Sequence, residues 1–166
     1  MLTSDTFLAM EKLIKLPGES CGILLENGVP YIERVEEYKE GVRNSCRMTR
    51  YAEVIWHTHP FTSKGYPSVE DIHMIVYEGS PIRVSLVFTT WGVWFIYNLF
   101  YGKPVPDPSH VYDYNKKVLE QLYYNTQRGR EYEKKAVNKA IDRLNKNGIT
   151  NISFIPWNEV RVPIRV

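Results

Sequence analysis

The strongest constraint on this chain lies between residues 51 and 71. Tyr51-Ala52-Glu53-Val54-Ile55-Trp56 is apolar and aromatic and runs straight into His57-Thr58-His59-Pro60. Such a run predicts a β-strand, on which residues two apart point to the same face. His57 and His59 therefore share a face. Pro60 has no N–H for a sheet ladder and predicts the end of the strand. Gly65 and Pro67 mark the next stretch as a turn-rich loop. Ser68 follows where a helix N-cap belongs, with Asp71 in the first turn. The stretch thus dictates a strand, a short loop and a helix start that returns a carboxylate to the strand end.

Two histidines and a carboxylate brought together in this way offer three ligands to a divalent metal. Zinc uses that number when its fourth position must stay open for water. Each part alone has an ordinary reading. Ser68-x-x-Asp71 is close to a capping box, and two histidines on a strand need no metal. The combination is different: His57, His59, Pro60, Ser68 and Asp71 would coincide by chance on the order of once in ten million start positions. His57, His59 and Asp71 are therefore the candidate metal ligands, and one catalytic Zn²⁺ is the expected cofactor.

The pattern His57-x-His59-Pro60-x7-Ser68-x2-Asp71 resembles the motif of the JAMM/MPN zinc metalloprotease family. The resemblance extends in organisation over about residues 4–100, with its specific part in two motifs. It implies that both His and the Asp bind a catalytic zinc and that Ser68 helps to hold the oxyanion. A Glu in a stretch resembling Glu-x-Cys-Gly-x-Leu is the family's general acid/base. Here Glu19-Ser20-Cys21-Gly22-Ile23-Leu24 places Glu19 in that role. On spacing alone Glu26, Glu33 and Glu53 compete with it. Where deubiquitinating members often carry Thr-Gln after the Asp, this chain has Ile72-His73-Met74.

The resemblance implies hydrolysis of an amide or isopeptide bond after the C-terminal Gly-Gly of ubiquitin or a ubiquitin-like protein. A sheet edge beside the zinc would pair with such an extended tail. Two alternatives keep the chemistry and change the substrate: a sulfur-carrier protein or a cell-wall peptide. A third reading, from another class, is a metal-free MPN-type scaffold or a nucleic-acid-binding module. Residues 111–148 hold nine Lys/Arg against five Asp/Glu, which reads first as a solvated helical face. The intact ligand set argues against a pure scaffold. A homo-oligomer is left open.

At 166 residues the chain is long enough for one domain with a real core. A net charge of +2 demands neither nucleic acid nor membrane as partner. Cys21 and Cys46 make no disulfide framework, so a reduced compartment is the default. Cys21 reads as a buried apolar residue, and Cys46 as a loop residue without a second metal cluster. No signal peptide and no membrane span are legible, and a cytoplasmic location is expected. His73 and His110 read as surface residues, and Thr58 as structural.

The remaining pattern predicts a first helix capped by Thr3 or Ser4, then a hairpin of strands 19–25 and 29–35 turning at Asn27-Gly28. Residues 36–50 read mostly as loop. After the histidine strand come a helix over 69–77 and strands beginning at 82 and 93. A proline-rich connector over 102–109 leads to helices over 111–127 and 130–147 and a last strand over 149–155. The sum is a mixed α+β (α/β) architecture, a mostly antiparallel mixed sheet flanked by helices with a helical C-terminal extension.

Overall fold

A computed structural model describes residues 1–35, Cys46 and residues 51–166. The elements are α1 (Ser4–Ile14), β1 (Ser20–Leu24), β2 (Pro30–Val35), β3 (Val54–Thr58), α2 (Val69–His73), β4 (Val84–Phe88), β5 (Gly92–Asn98), α3 (Ser109–Asn125), α4 (Lys134–Leu144) and β6 (Thr150–Pro156). Their order is the one the sequence pattern predicts. The six strands form one sheet in the order β2-β1-β3-β4-β5-β6. Only β3 and β4 run parallel; every other pair is antiparallel. Strands joined in parallel need a crossover, and α2 lies in it.

The sheet is covered on both faces. Trp56, Leu86, Phe88, Val93 and Phe95 pack with Phe7, Met10 and Leu13 of α1 on one side. Ile55, Val87, Trp94 and Ile96 pack with Ile72, Val118, Leu122, Val137 and Leu144 on the other. Alternation along β3 therefore sends Trp56 towards α1 and leaves Ile55 and His57 on the side of the later helices. Trp56 and Trp94 are fully buried. Burying a large apolar side chain contributes roughly 1.5–3 kcal/mol, so these two tryptophans weigh heavily on their respective faces.

Helix ends follow local chemistry. α4 starts at Lys134, later than its apolar spacing predicts; the positive φ of Gln127, Arg128 and Gly129 separates it from α3 but does not set that start. Glu133 instead accepts from the Lys135 and Ala136 N–H groups as N-cap. Tyr132 stays outside α4 and packs on Trp91 and Phe154. α2 ends at His73 rather than near Tyr77.

Three expectations need correction. Cys21 and Cys46 are joined by a disulfide, against the expectation from their number alone. Two cysteines are too few to signal a framework, yet one pair suffices when the fold sets their Cα atoms 6.0 Å apart. His73 is half-buried, not on the surface: Asn115 of α3 lies 3.0 Å from its Nε2, and its ring packs against Tyr112. The histidine strand is not beside a sheet edge either; β3 is flanked by β1 and β4, and the edges among the described strands are β2 and β6. The loop expected over 36–50 lies, Cys46 apart, outside the described residues. No helix among the described residues is long and apolar enough to cross a membrane.

Gly22 shows how tightly the centre of the sheet is built. A Cβ there would sit 1.8 Å from the Tyr31 carbonyl oxygen and 3.0 Å from the Trp56 ring. The register of β1 against β2 shifts at this point, between Cys21 and Gly22. Gly22→Ala should therefore cost about 1–3 kcal/mol or more in urea unfolding. An unchanged midpoint would contradict this packing.

Candidate metal centre

β1, β3 and the start of α2 converge on one point. Cys21 pairs with His57 across β1 and β3. Glu19 immediately precedes β1 and His59 immediately follows β3, and their side chains approach to 3.9 Å. Between them, Thr58 turns to the opposite side and its Oγ1 accepts from the Ser20 N–H at 2.9 Å. Thr58 is thus structural, as expected, and it fixes the chain next to Glu19.

α2 delivers the third ligand. Ser68 and Asp71 form a reciprocal capping box: the Asp71 N–H donates to Ser68 Oγ at 3.1 Å, and the Ser68 N–H donates to Asp71 Oδ2 at 2.9 Å. The ordinary reading of Ser68-x-x-Asp71 is therefore correct, and it does not exclude the other. The box aims the carboxylate at the strand end. Asp71 Oδ2 lies 3.2 Å from His59 Nε2 and 3.3 Å from His57 Nε2. The three ligand atoms all lie within 4.8 Å of one another.

The donor chemistry fits a cation. His59 Nδ1 faces the Lys64 carbonyl at 3.2 Å. A carbonyl only accepts, so Nδ1 carries the proton, and in the neutral ring Nε2 presents its lone pair. Facing a carboxylate oxygen at 3.2 Å, Nε2 therefore needs either a second proton, which charges the ring, or a cation between the two acceptors. Among the described residues His57 Nε2 is buried without a hydrogen bond, although Asp71 is near. Ligands about 2.0–2.1 Å from a tetrahedral zinc stand about 3.3 Å apart, which matches both His–Asp distances. The side chains of His57 and His59 are 9% and 7% exposed, so such an ion would be largely dehydrated.

The support behind the ligands is a pinned loop. The carbonyl of Gly65, next to Lys64, accepts from Trp94 Nε1–H and from the Thr89 hydroxyl, each at 2.8 Å. A Cβ at Gly65 would sit 2.1 Å from the Trp91 ring. Backbone held this way keeps the Lys64 carbonyl on His59 and fixes its tautomer. No sequence signal marks Lys64, because its backbone does the work.

Glu19 borders the centre. Its Oε1 is 3.9 Å from His59 Nε2, beyond hydrogen-bonding range, and its side chain is 17% exposed. Its Oε2 accepts from the Cys46 N–H at 3.0 Å. Of the competitors, Glu53 is paired with Arg83 at the other end of β3, and Glu26 sits exposed at the hairpin turn. Neither they nor Glu33 belongs to the three-ligand cluster. Cys46 contributes through its backbone and its disulfide, a role the sequence did not reveal. No family model matches the chain, and no match was found among curated proteins or solved structures.

Burial opposes charging of His57, but the adjoining Asp71 carboxylate outweighs it and raises the pKa to about 9. Burial likewise opposes ionisation of Asp71, and the two imidazoles override it and hold the carboxyl well below the usual range. Without metal this interaction contributes stability in full between the ordinary carboxylate range and about pH 6.5; it is lost as pH rises through about 9, and again in acid as pH falls through the depressed Asp71 value. A metal must displace the proton on His57. Zinc binding at pH 7 should therefore release a proton that is no longer released above pH 9, read by calorimetry in buffers of different ionisation enthalpy. Equal proton release at both pH values, or none at pH 7, would contradict the assignment.

Proposed function

We propose that this chain is a zinc-dependent isopeptidase or peptidase of JAMM/MPN type, acting after the C-terminal Gly-Gly of ubiquitin or a ubiquitin-like protein. The observation that carries the proposal is the buried His57–His59–Asp71 cluster with the Glu19 carboxylate at its border. Three protein ligands rather than four are what a catalytic zinc needs. The resemblance of Glu19-Ser20-Cys21-Gly22 and the His57–Asp71 stretch to that family supplies the reaction class.

Zinc held by His57, His59 and Asp71 would supply Lewis-acid polarisation of the scissile carbonyl and a nucleophilic water at neutral pH. The chain's own residues do the rest. Glu19, with Oε2 tied to the Cys46 amide, keeps Oε1 facing the centre, where it accepts the proton of the attacking water. The same carboxyl then hands the proton to the leaving amine as the C–N bond breaks. Ser68 spends a lone pair of Oγ on the Asp71 N–H. Its own O–H is thereby left to donate to the substrate oxygen as charge develops there. His59 is fixed from behind by the Lys64 carbonyl, and Asp71 by the Ser68 amide, so neither must reorganise.

One observation favours the second substrate class. Disulfides persist in oxidising compartments, and the Cys21–Cys46 bond suits a cell-wall peptide outside the cytosol better than a cytosolic conjugate. A disulfide that serves control is the case in which the cytoplasmic expectation stands.

The test is a cleavage panel of ubiquitin conjugates, ubiquitin-like and sulfur-carrier fusions and cell-wall peptides, with and without a zinc chelator. Glu19→Gln should keep its zinc and lose about 10²–10⁴-fold in turnover. Ser68→Ala should lose about 10²–10³-fold while retaining zinc, and about 1 kcal/mol of stability through its lost cap. Full turnover by Glu19→Gln would remove it from the mechanism. Purified chain without zinc would move the assignment to a scaffold.

A further inference from the structure

We infer that the Cys21–Cys46 disulfide is a redox-controlled positioning device for Glu19. Its catalytic consequence rests on the hydrolase reading above; its structural part does not. Glu19 immediately precedes β1 and lies two residues from Cys21, which is paired across the sheet with His57, and Glu19 Oε1 reaches the same side of the chain as the His59 ring. The disulfide fixes Cys46 beside Cys21. From there the Cys46 N–H reaches Glu19 Oε2 at 3.0 Å, while the other oxygen is the one 3.9 Å from His59 Nε2. One covalent bond thus sets which carboxylate oxygen is occupied and which faces the metal centre.

The contact is non-local. Cys46 is 27 residues from Glu19 in sequence, and the tether two residues from Glu19 supplies the high effective concentration that a single amide hydrogen bond across such a distance lacks. The two sulfurs differ in access. Cys21 is 1% exposed, whereas Cys46 is partly exposed. A reductant therefore meets Cys46 Sγ first.

The reductant is a dithiol. Its first thiolate attacks Cys46 Sγ, forming a mixed disulfide and expelling Cys21 as a thiolate, which takes up a proton. Its second thiol attacks the reductant's own sulfur, releases Cys46 as a thiol and closes a cyclic disulfide. Two electrons pass from the dithiol to the protein, and the dithiol's two protons end on the cysteines. The Cys46 amide is then freed from Glu19, and the carboxylate loses its fixed orientation. Among cytosolic proteins, disulfides are mostly of this transient, regulatory kind.

The first arm of the test needs no activity. Amide hydrogen exchange at residue 46 is followed by NMR in the oxidised chain, in the chain reduced by a dithiol, and in oxidised Glu19→Ala and Cys46→Ser. Protection should be highest in the oxidised chain and fall about tenfold or more in the other three, with Leu86 in β4 equally protected throughout. Equal exchange at residue 46 in the oxidised chain and in Cys46→Ser overturns the inference. So does a parallel loss at Leu86, because the bond would then hold the fold rather than Glu19. The second arm is turnover. Cys46→Ser, and reduction of the natural chain, should lower kcat about tenfold or more with KM and bound zinc unchanged. Reoxidation should restore the natural chain only. An unchanged kcat overturns the catalytic consequence. Absence of cleavage in every form sinks the proposed hydrolase, while the exchange result still decides the Cys46–Glu19 link.

Discussion

A single carboxylate oxygen, Oδ2 of Asp71, joins the elements that meet at the proposed metal centre. It accepts the Ser68 amide and so starts α2, and it stands 3.2 and 3.3 Å from the two imidazole nitrogens at the end of β3. Removing the carboxylate would uncap the helix and leave two buried imidazoles without counter-charge. Burying an ionised group is costly unless it is paired, and here the pairing is itself incomplete. In its neutral form His59 Nε2 presents a lone pair to a carboxylate, and among the described residues His57 Nε2 has no hydrogen bond. A divalent cation resolves both at once, whereas a proton resolves them only by charging an imidazole.

The scaffold is arranged to hold these three side chains rather than to adapt to them. Thr58 clamps the start of β1 from β3, Trp94 and Thr89 clamp the Gly65 carbonyl, and the capping box clamps Asp71. Each clamp is a buried or half-buried hydrogen bond whose loss would leave a polar group unsatisfied, a cost of about 1–3 kcal/mol. Preorganisation of that kind is what a catalytic ligand set requires. Glu19 is held differently among the described residues, by the Cys46 amide, and Cys46 is in turn held by the disulfide to Cys21.

Much of this was legible in the sequence because it rests on short-range rules. The period of two along 51–59, Pro60, and Ser68 followed by Asp71 set strand, loop and cap, and α1, β1 and β2 followed from equally local signals. What escaped is non-local. The pairing of Cys21 with Cys46 joins residues 25 apart, one in β1 and one outside any strand, which no local pattern announces. The burial of Asn115 beside His73 depends on α3 lying against α2. The break between α3 and α4 reflects positive φ at Gln127 and Arg128, residues whose identities do not announce it. The Lys64 carbonyl could not be found from sequence at all, since any residue offers one.

X-ray absorption at the zinc edge of the purified, oxidised chain decides whether His57, His59 and Asp71 hold zinc. One zinc per chain is expected, with four nitrogen or oxygen neighbours at about 2.0–2.1 Å, two of them carrying the multiple-scattering signature of imidazole. That shell should disappear in His57→Ala and in Asp71→Ala. A chain that binds no zinc, or a zinc with sulfur neighbours at about 2.3 Å, would contradict it.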